Sequence, residues 1–475
     1  MKLNKNKKVR NVLRNNSIIF RIALLAIFLF TTPLLLASAQ TSQSVLNTNS
    51  YAPADSSIPQ KGTTFTDPNF HTNLVRITDK TDGYSGAGIE NEYAKMDPEN
   101  SEGKYVILRG NDGEWYLYDT SNFEMKKQLN IVDGVEPEPR WDAIDPNVFY
   151  YIYETELRTY NIETDLSASV HNFKIEFSSA AYITTGSEGD ASLDRRFWSF
   201  IVEDSTYNFI STVVFDKESN NVVGQKTDFP DELDWISMDM SGSHCIVGYD
   251  TYSTQVFSRD FSSVIDLPLG ANGHMDLALS FEGNDVMVYQ NTQTDWIAMA
   301  DLNTGLETQL VEIPFGENSD IGLHFSGNCA EKPGWALVST YGAKNPPPNE
   351  KHTWMDTQIF MLELKQNPTV WRIAHTHAYT SKDYVGEKNY FAEAFATINK
   401  AGTRVYFGSN WDDYTAEYTD TYQAVLTSEL NTPTVTPTQQ PQTNSSIPTE
   451  YIAIATIAII VPVAVAAVVL MKRNS

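Results

Sequence analysis

Cysteine is almost absent from this chain: Cys245 and Cys329 are the only two in 475 residues, 84 positions apart. That spacing and number exclude a disulfide framework and any paired-cysteine zinc or redox motif. Both read as buried free thiols. Basic residues are scarce as well. Thirty-four Lys and Arg face 60 Asp and Glu, for a formal net charge of −26. Nucleic acid is excluded as a partner, because phosphate contact needs a basic face. No G-x-S-x-G elbow, HExxH helix or P-loop occurs, so those hydrolase and nucleotide chemistries drop out. Between about residues 70 and 430 there is no long helical period.

Two apolar runs stand at the ends. "MKLNKNKKVRNVLRNNSIIFR" carries seven basic residues, and "IALLAIFLFTTPLLL" and "ASAQ" follow. This is a basic, apolar and small-residue succession, read as a signal peptide over residues 1–39, with a retained anchor as the alternative. Residues 451–471 form an uncharged run of 21, long enough to span a bilayer, closed by Lys472 and Arg473. The expectation is a single transmembrane helix with a cytoplasmic tail at 472–475. Before it, residues 431–450 make a Thr/Pro-rich stalk with Pro433, Pro437, Pro441 and Pro448. Asn444 is the one N-x-[ST] glycosylation acceptor after the signal segment. Residues 40–69 read as a linker. Without the two ends, 25 basic side chains face 60 acidic ones, a net of −35. Solubility, or life at high ionic strength, is the expected reason for this charge, with cation binding as the alternative.

The body repeats a turn and an apolar strand. The copies are "DPENSEGKYVILRG", "DAIDPNVFYYIYE", "SLDRRFWSFIVED", "DMSGSHCIVGYD", "SFEGNDVMVYQN", "CAEKPGWALVSTY" and "NKAGTRVYFGSN". Aligned at Lys104, Val148, Phe197, His244, Asp285, Gly334 and Arg404, they are spaced by 44, 49, 47, 41, 49 and 70 residues. Short strands on a period in the forties predict propeller blades. The fold class is therefore all-β: a seven-bladed β-propeller over residues 70–430, displayed outside a membrane. "TNLVRITDKTDG" supplies a strand that completes the last blade and closes the ring. A two-domain β-sandwich is the alternative. The insertion "GAKNPPPNEKHTW" accounts for the 70-residue gap. The turn and strand of "NKAGTRVYFGSNWDD" resemble those of TolB/WD40-like propellers, although no Gly-His to Trp-Asp spacing recurs.

In a propeller, the segments that lead into the inner strands converge on the channel mouth. They hold Glu90 and Glu92, then Glu136, Glu138, Arg140 and Trp141, Asp190, and Asp231, Glu232 and Asp234. His274 and Asp276, Asp320 and His324, and Glu393 complete the set. Arg140, Trp141, His274, Asp276, His324 and Glu393 are the predicted ligand-binding residues of that mouth. "HTHAY" places His375 and His377 two apart, on one face of a strand if the strand continues. His-x-His is a common chelate, so His274, His324, His375 and His377 are the candidate ligands of a divalent metal (Mn, Ca or Zn). The favoured reading of the pair is the end of the outer strand of blade six, with one ring packed and one solvated, and the metal is the alternative. Trp411, Tyr414, Tyr418 and Tyr422 read as blade packing, with sugar stacking as the alternative.

Near its end the chain also resembles the oligogalacturonate lyases, with histidines ahead of a final "G-x-R-V-x-F-x-S-N" blade. That resemblance implies a metal held by histidines and a glutamine, with His274, His324 and His377 in corresponding places. No counterpart of the glutamine is found, nor a basic residue placed for β-elimination. Two functions follow as expectations. The first is a membrane-anchored binding module for a surface glycan or protein. The second is a metal-dependent polysaccharide lyase or hydrolase acting on acidic or neutral glycans.

Overall fold

The computed structural model describes residues 47–426, apart from 55–56, 83–87, 132–136, 252, 316–320, 343–352, 379–391, 412 and 414–418. The expected signal peptide, stalk, spanning segment and tail lie outside the described residues. So do Asn444, Glu136, Asp320, Tyr414, Tyr418 and most of the "GAKNPPPNEKHTW" insertion. No helix among the described residues is long and apolar enough to cross a membrane.

Seven antiparallel sheets are arranged in chain order as seven blades. Six have four strands, running from an inner strand to an outer one. The seventh has five, and it is closed by both ends of the ring. Thr397–Ile398, Arg404–Ser409 and Asp420–Val425 come from the C-terminal side, and Asn73–Arg76 and Thr64–Thr66 from the N-terminal side. Asn73 to Arg76 pairs with Val425 to Tyr422, so "TNLVR" closes the ring as the sequence predicts. The propeller also starts earlier than residue 70. Thr64–Thr66 is an outermost strand on Asn73–Val75, so the supposed linker is partly built into the last blade. Three residues are too few to show a period of two. Phe65 holds the strand edge-on against Trp411 at 5.1 Å.

The repeated turn has a physical cause. Asn100 Oδ1 accepts the N–H groups of Lys104 and Tyr105. Asp239 Oδ1 accepts those of Ser243 and His244, and Asn399 Oδ1 those of Thr403 and Arg404. Each side chain thereby fixes the turn from inner to second strand. Gly242 takes φ 71° in such a turn, where a Cβ would stand 2.7 Å from the Phe197 ring. The second strands, such as Phe197–Glu203 and Asp285–Asn291, are buried almost throughout because a blade packs on each face. The cluster around Trp141 and Phe149 joins blades one and two through Met96, Ile107, Leu117 and Tyr160. Each such large side chain contributes about 1.5–3 kcal/mol on burial. Trp411 and Tyr422 are buried, stacked 4.9 Å apart, and serve packing. Cys245 and Cys329 are buried free thiols, and burial pushes both well above the usual thiol range.

Candidate functional site

Three of the predicted residues, from the approaches and inner strands of blades five, six and seven, meet in one place. His274 lies in the inner strand of blade five, Ala271–Leu279, which shifts register between Ala271 and Gly273 and again between Gly273 and Met275. These bulges, with His274 at φ 32°, re-aim the ring. It meets His324, from the inner strand of blade six (Gly322–Ser326), edge to face at 4.9 Å. His324 Nε2 shares a 3.0 Å hydrogen bond with Glu393 Oε2. Glu393 stands just ahead of the inner strand of blade seven. The predicted gathering of His274, His324 and Glu393 is therefore present.

The surroundings are aromatic. Tyr341 stacks on His324 at 5.2 Å, Phe395 lies at 4.7 Å, and Tyr93 meets it edge-on at 5.4 Å. Lys95 enters from blade one, only 4% exposed, and donates to Glu188 Oε2 from blade three. Its ammonium also lies 5.6 Å from the Tyr93 ring and 5.5 Å from the Trp235 ring, and 3.5 Å from Met275 Sδ. Five blades thus contribute to one cluster of Lys95, Glu188, His274, His324 and Glu393. Lys95 and His324 lie at its floor, whereas Glu188, His274 and Tyr93 are partly open.

This environment separates the protonation states. Burial, then the neighbouring His324 and Lys95, pushes His274 down to about 4, and burial pushes His324 down to about 3. Both imidazoles are neutral at pH 7. Burial pushes the Glu393 carboxyl up to about 7, against the pull of His274 and the Tyr341 hydroxyl. Burial also acts upward on Glu188, but the Lys95 charge and hydrogen bond leave it below the usual carboxylate range. Perturbed acids and bases gathered in one cluster make it the candidate functional centre.

The other predicted residues fall elsewhere or do other work. Asp276 is buried. Its Oδ2 accepts the Gly327 N–H at 2.6 Å and ties blade five to blade six, and burial raises its carboxyl to about 7. Arg140 donates to the Gly189 and Pro139 carbonyls and lies 3.5 Å from Asp190. Trp141 donates to the Pro98 carbonyl and packs between blades. Trp141 also lines a separate cavity of about 250 Å³ with Asp97, Glu99, Arg195, Asn399 and Arg404. That cavity is built from the turns between inner and second strands, at the other end of the channel from Tyr341.

His375 and His377 do not join His274 and His324. His375 ends the outer strand of blade six, Val370–His375, as expected. There its N–H and Nδ1 face Asp67 Oδ2 at 3.0 and 3.4 Å, and its Nε2 faces the Tyr51 carbonyl at 2.9 Å. The strand does not continue: His377 has φ 49° and stacks on Trp411 at 4.2 Å. The pair therefore packs the N-terminal strap and the closing blade. Glu387 lies outside the described residues.

His274, His324 and Glu393 bring metal-type donors together, but they do not by themselves make a metal site in this structure. The imidazoles are the right donors in kind. However, His324 Nε2 is engaged with Glu393, and the Lys95 ammonium occupies the same cluster. Among the described residues no group of three or more His, Cys, Asp and Glu could hold a metal ion.

Sequence reasoning passed over Lys95, Glu188 and Tyr93. The signal for Tyr93 and Lys95 is "NEYAKM", a lysine between Ala94 and Met96 on the path out of an inner strand, and Glu188 lies in "GSEGD", two residues before Asp190.

The raised carboxyls predict a pH effect on stability. Glu393 and Asp276 near 7, and Glu90 near 8, have folded values above their unfolded ones. The stability they contribute is present below the unfolded value and lost as pH rises through the folded one. His274 and His324 are depressed, so protons still bound by the unfolded imidazoles near pH 6.5 oppose this fall, and that opposing slope fades by about pH 7.5. Urea unfolding should therefore show stability falling from pH 6.5 to 8, with a shallower fall in Glu393→Gln. A flat or rising curve would refute the assignment.

Comparisons with known proteins agree on the fold. No protein-family model matches the chain, and no curated protein does. Solved structures match well. An oligogalacturonate lyase from Vibrio parahaemolyticus superposes with a TM-score of 0.54 at 16% identity, over 78% of this chain and all of that one. An oligogalacturonate lyase in complex with manganese gives 0.55 at 14% identity, over 79% of this chain and 98% of that one. At such identities the likeness concerns the propeller.

Proposed function

We propose that this protein is an exported, membrane-anchored β-propeller that binds a uronate-containing glycan at the Lys95–His274 end of its channel and cleaves it as a polysaccharide lyase. The observation that carries the reading is the buried lysine beside two neutral imidazoles and a carboxyl poised near neutrality. β-Elimination of a uronate needs a positive charge at the sugar carboxylate, a neutral base at the α-carbon and an acid at the leaving oxygen. Lys95 supplies the charge once the sugar carboxylate takes the place of Glu188 beside its ammonium. His274, the more open imidazole, takes the C5 proton as the C4–O bond breaks and a C4–C5 double bond forms. Glu393, protonated in part at pH 7, returns a proton to the departing oxygen. The oligogalacturonate lyase propellers, which share the fold, support the substrate class. The basic-apolar start, the Thr/Pro stalk and the uncharged run at 451–471 support export and anchoring.

One observation favours a second reading. Lys95 and His324 are 4% and 2% exposed, so a ligand meets mainly Tyr93, Glu188 and His274. That suits a binding module that displays a propeller to a surface glycan or protein without turnover.

The test is to incubate the ectodomain with a panel of uronate-containing and neutral polysaccharides. A lyase yields an unsaturated product that absorbs in the ultraviolet, and a hydrolase yields reducing ends without that absorbance. Saturable binding with neither supports the binding module. Neither binding nor cleavage across the panel would overturn the lyase and the glycan-binding module together. Because the chain is strongly acidic, salt should speed its encounter with a polyanionic glycan.

A further inference from the structure

We infer that Tyr182 and Tyr207 form a sugar-stacking subsite beside the channel mouth, holding one pyranose ring of a glycan whose neighbouring units reach the Lys95–His274 cluster. This rests on the glycan reading above. The two rings are stacked almost parallel, with centroids 4.9 Å apart and 6° between planes. Tyr207 is nevertheless 57% exposed. One ring face stacks on its partner, and more than half of the residue is open to solvent. Trp411 and Tyr422 show the opposite arrangement, stacked and buried.

The backbone holds Tyr207 in place against preference. It sits in the turn between Phe197–Glu203 and Phe209–Asp216 with φ 60°, a left-handed conformation that bulky residues rarely adopt. Asp204 Oδ1 fixes that turn by accepting the N–H groups of Thr206 and Asn208 at 2.8 and 3.0 Å. Glycine or asparagine would relieve the strain. The same conformation recurs in the equivalent hairpins at Glu154 and Asp295, so it belongs to the turn; at 207 the residue it fixes is an exposed tyrosine held against Tyr182.

The pair stands at the same end of the propeller as the cluster. Tyr182 opens the inner strand of blade three and pairs with Glu203, the last residue of the second strand. Tyr341, which stacks on His324, likewise ends the second strand of blade six. All blades run with one polarity, so both positions face the same side. The segment that starts at Tyr182 reaches Glu188, the partner of Lys95, six residues later. Six residues span at most about 20 Å, within reach of a short oligosaccharide.

Pyranose rings carry an apolar C–H face, which is attracted to the electron-rich face of an aromatic ring. A flat, rigid and exposed tyrosine pair offers such a face at little cost in side-chain entropy. Phe209, 40% exposed, adds apolar surface at the start of the next strand.

The test uses Tyr207→Ala and Tyr207→Phe in the full ectodomain, with calorimetric titration of uronate oligosaccharides from disaccharide to hexasaccharide. Tyr207→Ala should weaken the longer oligosaccharides about tenfold and leave the disaccharide unchanged, while Tyr207→Phe retains wild-type affinity. Equal thermal melting of the variants shows that the fold is intact. Wild-type binding that Tyr207→Ala leaves unaltered at every length overturns the subsite and leaves the proposed function standing. So does equal weakening at all lengths. Failure of the wild type to bind any oligosaccharide overturns the glycan reading itself.

Discussion

Lys95→Met is expected to lower kcat/KM on a uronate-containing glycan by about 10²–10³ while leaving a folded propeller. That range is the usual effect of removing one preorganised charge or donor from a closed site. Methionine matches the length and apolar stem of lysine, so the contacts with Tyr93, Trp235 and Met275 are largely kept. What disappears is the cation. Glu188 then loses the partner that holds its carboxyl low, and its ionised form becomes costly. Glu188 is about one-third exposed, so solvent limits the loss of stability. The double variant Lys95→Met/Glu188→Gln separates the two effects. It should recover stability in urea titration and leave activity absent. If Lys95→Met alone keeps activity within about threefold of wild type, Lys95 is a structural ion-pair member and the chemistry lies elsewhere. For the binding module, the same variant should lose affinity for an acidic glycan and keep affinity for a neutral one.

The blades were legible in sequence, and the reason is local. Each second strand is an unbroken apolar run that follows an Asn or Asp turn, and both signals lie within about a dozen residues. The predicted second strands at Val148, Phe197, His244, Asp285 and Arg404 begin at those residues, and those at Lys104 and Gly334 begin one residue later. His274, His324 and Glu393 were legible for a topological reason, since residues leading into inner strands converge whatever the rest of the blade does. Lys95 was not. A lysine near a turn ordinarily reads as a solvated charge, and only Trp235 and Met275, from blades four and five, make it buried. The His375/His377 pair misleads because period two assumes that the strand continues. Here His375 is its last residue, and its partners Tyr51 and Asp67 arrive from more than 300 residues away.

That long-range contact leads to the second large effect. Removal of residues 47–76 from the propeller is expected to abolish soluble folding, and Asp67→Ala to cost about 3–5 kcal/mol. The deletion takes away both N-terminal strands of the closing blade and leaves Asp420–Val425 as a bare edge, open to pairing between molecules. It also removes Arg76, whose guanidinium donates twice to Asp420 Oδ2. Asp67 acts within the same strap. Its buried carboxylate accepts the N–H groups of Asn69, Phe70 and His375, and alanine leaves the last two buried without an acceptor. Each stranded donor costs about 1–3 kcal/mol. Arg372 reinforces the strap, donating to the Asn49 and Trp354 carbonyls and lying over Tyr51 and Phe70. Burial acts upward on the Asp67 carboxyl, but its bonds to His375 and Phe70 and the His375 charge leave it below the usual range. A depressed carboxylate contributes stability that is present above its unfolded value, near 4, and is lost as pH falls through the folded one. Asp67→Asn should therefore be less stable than wild type at pH 5 and approach it at pH 3, as measured by guanidinium unfolding. Equal stabilities at pH 5 would mean that the strap is held by its strands and by Arg372 alone. The His-x-His motif would then have no share in closing the ring.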